Sequence, residues 1–133
     1  MKLIVTFFAM ALSQFCLFGW GVTGHRVIGT IAEWHMTDAA KHRVMGVLQG
    51  ATIAEVGNWM DDIKSDPTYD SLYNWHFVTI PDGLTYDQSE KHPNGDVIKG
   101  INFLIDALKT VNLKKEVEEA YLKMLIHMVA DVH

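Results

Sequence analysis

An all-α fold is predicted for this chain on three observations. Apolar residues recur at helical spacing through most of the stretch from Trp20 to His133. Gly50, Pro67 and Pro93-Asn94-Gly95 interrupt that stretch where helices would stop and loops begin. The chain is 133 residues long, 49% hydrophobic and 20% charged, which fits one globular domain and excludes a disordered tail, a collagenous rod or a multi-domain assembly.

Residues 1–19 stand apart from that domain. Met1-Lys2 is a short cationic start to the apolar run Leu3 to Phe18, and Gly19 ends it with a small residue. This is the pattern of a secretory signal peptide cleaved before Trp20. An uncleaved anchor is the alternative, but the run is shorter than the roughly 20 apolar residues that span a bilayer. Cleavage would remove the only cysteine, Cys16. The mature part would then have no disulfide despite an oxidising destination, and its stability would rest on core, partners or metal. A secreted or periplasmic location, with no membrane attachment after cleavage, is expected.

From Gly24 the residues Val27, Ile28, Ile31 and Trp34 fall at helical spacing, and the pattern runs to Met36. Thr37 caps a second helix that carries Val44, Val47 and Leu48 and stops at Gly50, a residue suited to a left-handed turn. A third helix is predicted from Thr52 to about Lys64, ended by Pro67. Tyr73 to Ile80 reads as extended or irregular, Pro81-Asp82-Gly83 as a turn, and Asp82 to Asp96 as a polar loop. Two longer helices follow, about Asp96 to Lys109 and Leu113 to His133. In the last, Val117, Tyr121, Met124, Leu125, Met128 and Val132 mark a buried face. No Gly, Pro or basic turn stops it, so the domain is expected to be truncated at His133 and to leave apolar surface uncovered.

Lys+Arg number 11 against Asp+Glu 16, a net charge of −5 that becomes −6 once Lys2 leaves with the signal. That balance argues against gripping nucleic acid through a cationic face. Any phosphate handled here needs another source of positive charge.

Polar residues in apolar surroundings suggest that source. His127 and Asp131 are four apart on the last helix, so their side chains project from one face and can reach one ion. The turn around them is otherwise apolar, and a carboxylate buried there without a partner would be very costly. A surface His-Asp ion pair is the other reading. His25 opens the first helix, Asp61 lies in Trp59-Met60-Asp61-Asp62, and His76 is flanked by Trp75 and Phe77. Singly, His25 reads equally as a capping residue, Asp61 as a solvated helix residue and His76 as a hydrogen-bonded core histidine. Together they supply nitrogen and oxygen donors of the kind zinc takes.

Trp20-Gly21-x-x-Gly24-His25, Trp59-x-Asp61, the aromatic-flanked His76 and His127-x-x-x-Asp131 occur in the order found in the S1/P1 nuclease family of zinc-dependent phosphodiesterases, which residues 20–133 resemble over nearly their whole length. The resemblance implies a multi-helix, phospholipase C/P1 nuclease-like fold of which residues 20–133 are the N-terminal part. It also implies a cluster of three zinc ions in a cleft. One zinc would be held by Asp61, His76, His127 and Asp131, and a second by His25, by Asp131 again, and by the amino group and carbonyl of Trp20. A free terminal amine is then required, so signal cleavage would create the site. Ligands for only about two zincs are present, and His133 points off the His127 face and is not counted.

The implied chemistry is attack on phosphorus by a zinc-activated water, the metals supplying the missing cations. Lys64 matches a basic side chain near the scissile phosphate, and Phe77 a base-stacking position that favours single strands. A solvated helix-end lysine and a core phenylalanine are the competing accounts. Thr79 falls where some members carry an acid that reads the base, so base preference does not carry over. The expected activity is zinc-dependent endonucleolytic hydrolysis of single-stranded DNA and RNA, with 3′-nucleotides also cleaved, Asp61 and Lys64 as catalytic residues, and no protein partner implied. The alternatives are a zinc-dependent phospholipase C and a non-catalytic helical binding module. The metal reading requires the imidazoles of His25 and His76 to lie well within about ten ångströms of Asp131, since shared coordination cannot reach further.

Overall fold

A computed structural model describes residues 21–110 and 112–133. The expectations for the signal segment and for Trp20 lie outside these residues. The described part is all helical: α1 (Val22–His35), α2 (Asp38–Val47), α3 (Ile53–Val56), α4 (Trp59–Ile63), a 3-10 helix (Pro67–His76), a 3-10 turn (Tyr86–Gln88), α5 (Val97–Leu108) and α6 (Lys115–Val132). Among the described residues, no helix is long and apolar enough to cross a membrane.

Local sequence accounts for most boundaries. Thr37 accepts the Ala40 N–H at the start of α2, and Gly50 takes φ 94° just beyond its end, as its lack of a Cβ allows. Thr52 and Glu55 form a capping box at α3. The buried Asp96 caps α5 by accepting the Lys99 N–H and also receives the Tyr86 hydroxyl, which ties the 82–96 loop to that helix.

Two predicted elements are corrected. The single helix expected over Thr52 to Lys64 is broken at Gly57-Asn58 into α3 and α4. Gly57 lies so close to α1 that a Cβ there would sit 3.2 Å from the His25 carbonyl oxygen, so the break follows the surface of another helix rather than any local stop signal. The stretch from Tyr73, expected to be extended or irregular, is helical to His76 and extended only from Phe77, because the 3-10 helix started by Asp66 and Pro67 continues to His76.

The core gathers where α6 crosses α5 and α4: Met60, Val97, Leu104, Met124 and Met128 are buried together, with Trp59, Trp75 and Tyr121 around them. The predicted inner face of α6 is therefore correct at Met124 and Met128, while Val132 is exposed. On α1 most of the apolar residues at helical spacing are not on the buried side. Val27, Ile31 and Trp34 face outward, Trp34 being 76% exposed, and the buried side carries His25 and Gly29. Gly29 packs against the backbone of α3, with room for no side chain: a Cβ would lie 2.8 Å from Ala54 Cα.

Candidate metal centre

Four elements converge on one point. α1 brings His25, α4 brings Asp61, the last residue of the 3-10 helix is His76, and α6 brings His127 and Asp131 one turn apart. The Nε2 of His25 lies 3.4 Å from Asp131 Oδ1, and the Nδ1 of His76 lies 3.3 Å from Asp131 Oδ2. Both separations are far inside the limit that the metal reading requires. His127 Nε2 is 3.2 Å from Asp131 Oδ2 and 3.1 Å from His76 Nδ1, and its ring stacks on that of His25 with centroids 4.2 Å apart.

Among the described residues, two sets of donor atoms are compact enough to share an ion: His25, His127 and Asp131, and Asp61, His76 and His127, with all donor atoms in each set within 4.8 Å of one another. The resemblance made Asp131 the shared ligand, whereas in these two sets the common member is His127. Trp20, the remaining expected ligand, is outside the described residues.

Among the described residues, one imidazole of the cluster is left without a hydrogen-bond partner. His25 is 2% exposed, yet neither ring nitrogen has a hydrogen-bond partner among the described residues; Asp131 is near its Nε2 but poorly aligned. Buried polar atoms are normally paired, so an orphaned Nε2 facing a carboxylate, on a ring beside two more imidazoles, fits a bound cation. The fit is chemical as well: imidazole nitrogens and carboxylate oxygens are the donors zinc accepts.

Packing sets the ring orientations. The Nδ1–H of the fully buried His127 donates to the Gly57 carbonyl at 2.7 Å, which aims Nε2 into the cluster. His76 is positioned through its neighbours: the Trp75 indole N–H donates to the Asn94 carbonyl at 3.0 Å, and the Phe77 carbonyl accepts the Val97 N–H at 3.2 Å.

The charges are coupled. Burial would raise the Asp131 pKa, but hydrogen bonds from His127 and His76 and the charge of His127 and His25 outweigh it and hold the carboxyl well below the usual range. Burial would likewise lower His127, yet Asp131 and the Gly57 carbonyl raise it. His25 is lowered, first by burial and then by the neighbouring His127, so its nitrogens favour the neutral form that binds metal.

Around the cluster, Lys64 Nζ lies 3.5 Å from Asp61 Oδ1 and is largely exposed. Phe77 is 47% exposed rather than buried in a core, and meets Tyr73 edge to face. The Gly57 carbonyl, which orients His127, escaped the sequence reading; its one signal was a glycine inside a helical pattern.

The S1/P1 Nuclease family profile matches residues 20–133. The chain belongs to the S1/P1 nuclease family. It is similar to Nuclease S1 of Aspergillus oryzae, with 23% identity over an alignment 133 positions long that covers 93% of this chain and 45% of that relative. The chain thus spans less than half the length of this nuclease, and the family match over residues 20–133 includes every element that carries a cluster residue.

Proposed function

We propose that this S1/P1 family protein is a secreted or periplasmic zinc-dependent endonuclease that hydrolyses phosphodiester bonds of single-stranded DNA and RNA and also removes the phosphate of 3′-nucleotides. The observation that carries this reading is the convergence of His25, Asp61, His76, His127 and Asp131 from four elements, with the buried His25 nitrogens lacking a partner among the described residues. His25, Asp61, His76, His127 and Asp131, with the amino terminus at Trp20, are the proposed ligands. Bound zinc would supply Lewis acidity toward a phosphoryl oxygen and toward water.

The chain's own residues supply the rest. Lys64, exposed beside Asp61, binds a non-bridging phosphate oxygen and stabilises charge as it accumulates there. Asp61, partly exposed and 3.5 Å from Lys64 Nζ, accepts the proton of the attacking water. Phe77 offers an exposed ring face to an unpaired base, which a duplex cannot present. With a net charge of −5, phosphate attraction falls to the metal site and Lys64 rather than to a basic surface.

The test is hydrolysis of single-stranded and duplex DNA, single-stranded RNA and 3′-nucleotides by the full-length protein, before and after chelation and zinc readdition, alongside metal analysis. Expected are bound zinc, loss of activity on chelation, recovery on readdition, and preference for single strands. A stable protein with no zinc and no chelator-sensitive hydrolysis would overturn the proposal, as would release of phosphocholine from phosphatidylcholine in place of nucleotide products.

A further inference from the structure

Beside the metal centre lies a second feature that the reaction as proposed does not use. Between α4 and the 3-10 helix is a pocket of about 290 Å³, partly open to solvent. Its apolar surface comes from Met60, Ile63 and Leu72, its aromatic walls are Tyr69 and Tyr73, and its polar rim includes Asn74. His76 and Lys64 also line it, so the pocket opens directly onto the cluster and onto the lysine nearest Asp61.

We propose that this pocket is a nucleoside subsite, holding the base on the side of the scissile phosphate opposite to the base that stacks on Phe77. The inference rests on the nuclease reading and names a part of the substrate that the reading leaves open. Four observations carry it. The volume is at the lower end for small-molecule sites, about 300–1,000 Å³, and suits a single base rather than a longer strand. An apolar floor with two tyrosine rings accepts the faces of a flat heterocycle, and stacking of this kind tolerates any base. The Asn74 amide offers both a donor and an acceptor to the base edge. Tyr73 and Phe77 meet edge to face with centroids 6.0 Å apart, so the two ring systems stand side by side next to His76.

Asn74 also lines the neighbouring pocket that contains Phe77, so the two pockets flank one short stretch of chain. A phosphate bound at the cluster would then have one base on either side. A dinucleotide fills both positions and a single nucleoside only one. Tyr73 is 66% exposed, which leaves its ring free to take a ligand and makes its replacement tolerable to the fold.

The test uses the zinc-loaded full-length protein with methyl-labelled isoleucine and leucine, titrated with a hydrolysis-resistant dinucleoside phosphorothioate. Expected are shifts of the Ile63 and Leu72 methyl resonances. Tyr73→Ala should weaken binding about tenfold, Tyr73→Phe should restore it, and zinc content should stay unchanged in both. The subsite is overturned if the dinucleotide binds while these methyls do not move, or if Tyr73→Ala binds within about twofold of the parent. Failure of the nuclease reading looks different: no zinc is retained and no variant binds nucleotide, in which case the subsite falls with it.

Discussion

Gly100 offers a way to disturb the candidate centre without touching any proposed ligand. It is buried in α5, where a Cβ would lie 2.5 Å from Met128 Cε and 2.8 Å from Trp75 Cε3. In an open helix, Gly→Ala is worth about 1 kcal/mol in favour of alanine. Here the neighbours oppose it. The Met128 thioether is flexible but fully buried, and the Trp75 indole is fixed by its bond to Asn94 and by edge contact with Phe103. Overpacking of this kind costs about 1–3 kcal/mol, so Gly100→Ala should destabilise by a net of about 0–2 kcal/mol.

The effect on metal should be larger than the effect on stability, because Trp75 and Met128 immediately adjoin His76 and His127. Displacing the groups that orient metal ligands typically costs about 10–100-fold in affinity. Thermal melts give the first quantity and competition against a chelator of known affinity gives the second. Gly46→Ala is the control: no atom lies within 4 Å of its Cβ position in α2, so it should stabilise by about 1 kcal/mol and leave metal binding alone. A Gly100→Ala protein as stabilised as the control, with parental zinc affinity, would refute the claim that this contact holds the cluster in shape.

His127→Ala should abolish tight zinc binding and, by leaving the Gly57 carbonyl unpaired, destabilise the metal-free protein by about 1–3 kcal/mol in urea titrations. Thr52→Ala removes the capping box of α3 and should cost about 1 kcal/mol with zinc content unchanged, read by the same titration and metal analysis. The Glu119 carboxyl is lowered by its hydrogen bonds from Lys123 and Gln49, so its stabilising effect is present above pH 4.5 and lost as the pH falls through its folded value. Glu119→Gln should therefore lower stability near neutrality by less than about 1 kcal/mol and converge with the parent in acid melts. A preparation that retains Gly19 ahead of Trp20 should lose part of its zinc and most of its activity; full metal content at full rate would reject a role for the terminal amine.

The sequence exposes chemistry more readily than packing. His127 and Asp131 were legible because helical spacing alone puts them on one face, and their apolar surroundings make a partner necessary. His25, Asp61 and His76 were legible only as an ordered set, since nothing local says that three separate segments meet. Gly29 and Gly100 were silent, and Gly57 gave only the weak signal of a glycine in a helical pattern, because each is defined by what lies opposite it in space. The outward turn of Val27, Ile31 and Trp34 has the same origin: spacing reveals that a helix has an apolar stripe, while tertiary contacts decide which stripe is buried. On α1, contact between Gly29 and the α3 backbone took that decision and carried His25 inward.

That contact explains how short elements can hold a polar cluster inside an apolar core. α3 and α4 together are too short to be stable helices alone, so their positions come from the surfaces they touch. Where α1 meets α3 the opposing surface is backbone, which cannot rotate away, and the Gly57 carbonyl is thereby fixed where it can accept from His127. The ionised Asp131 faces three imidazoles and needs positive charge nearby. A proton on His127 can supply it, as the raised pKa indicates, and so can a divalent ion. With Nδ1–H engaged by Gly57, proton and metal compete for the same Nε2 position. Exchanging one for the other then requires no rotation of the ring, which is what a preorganised metal site demands.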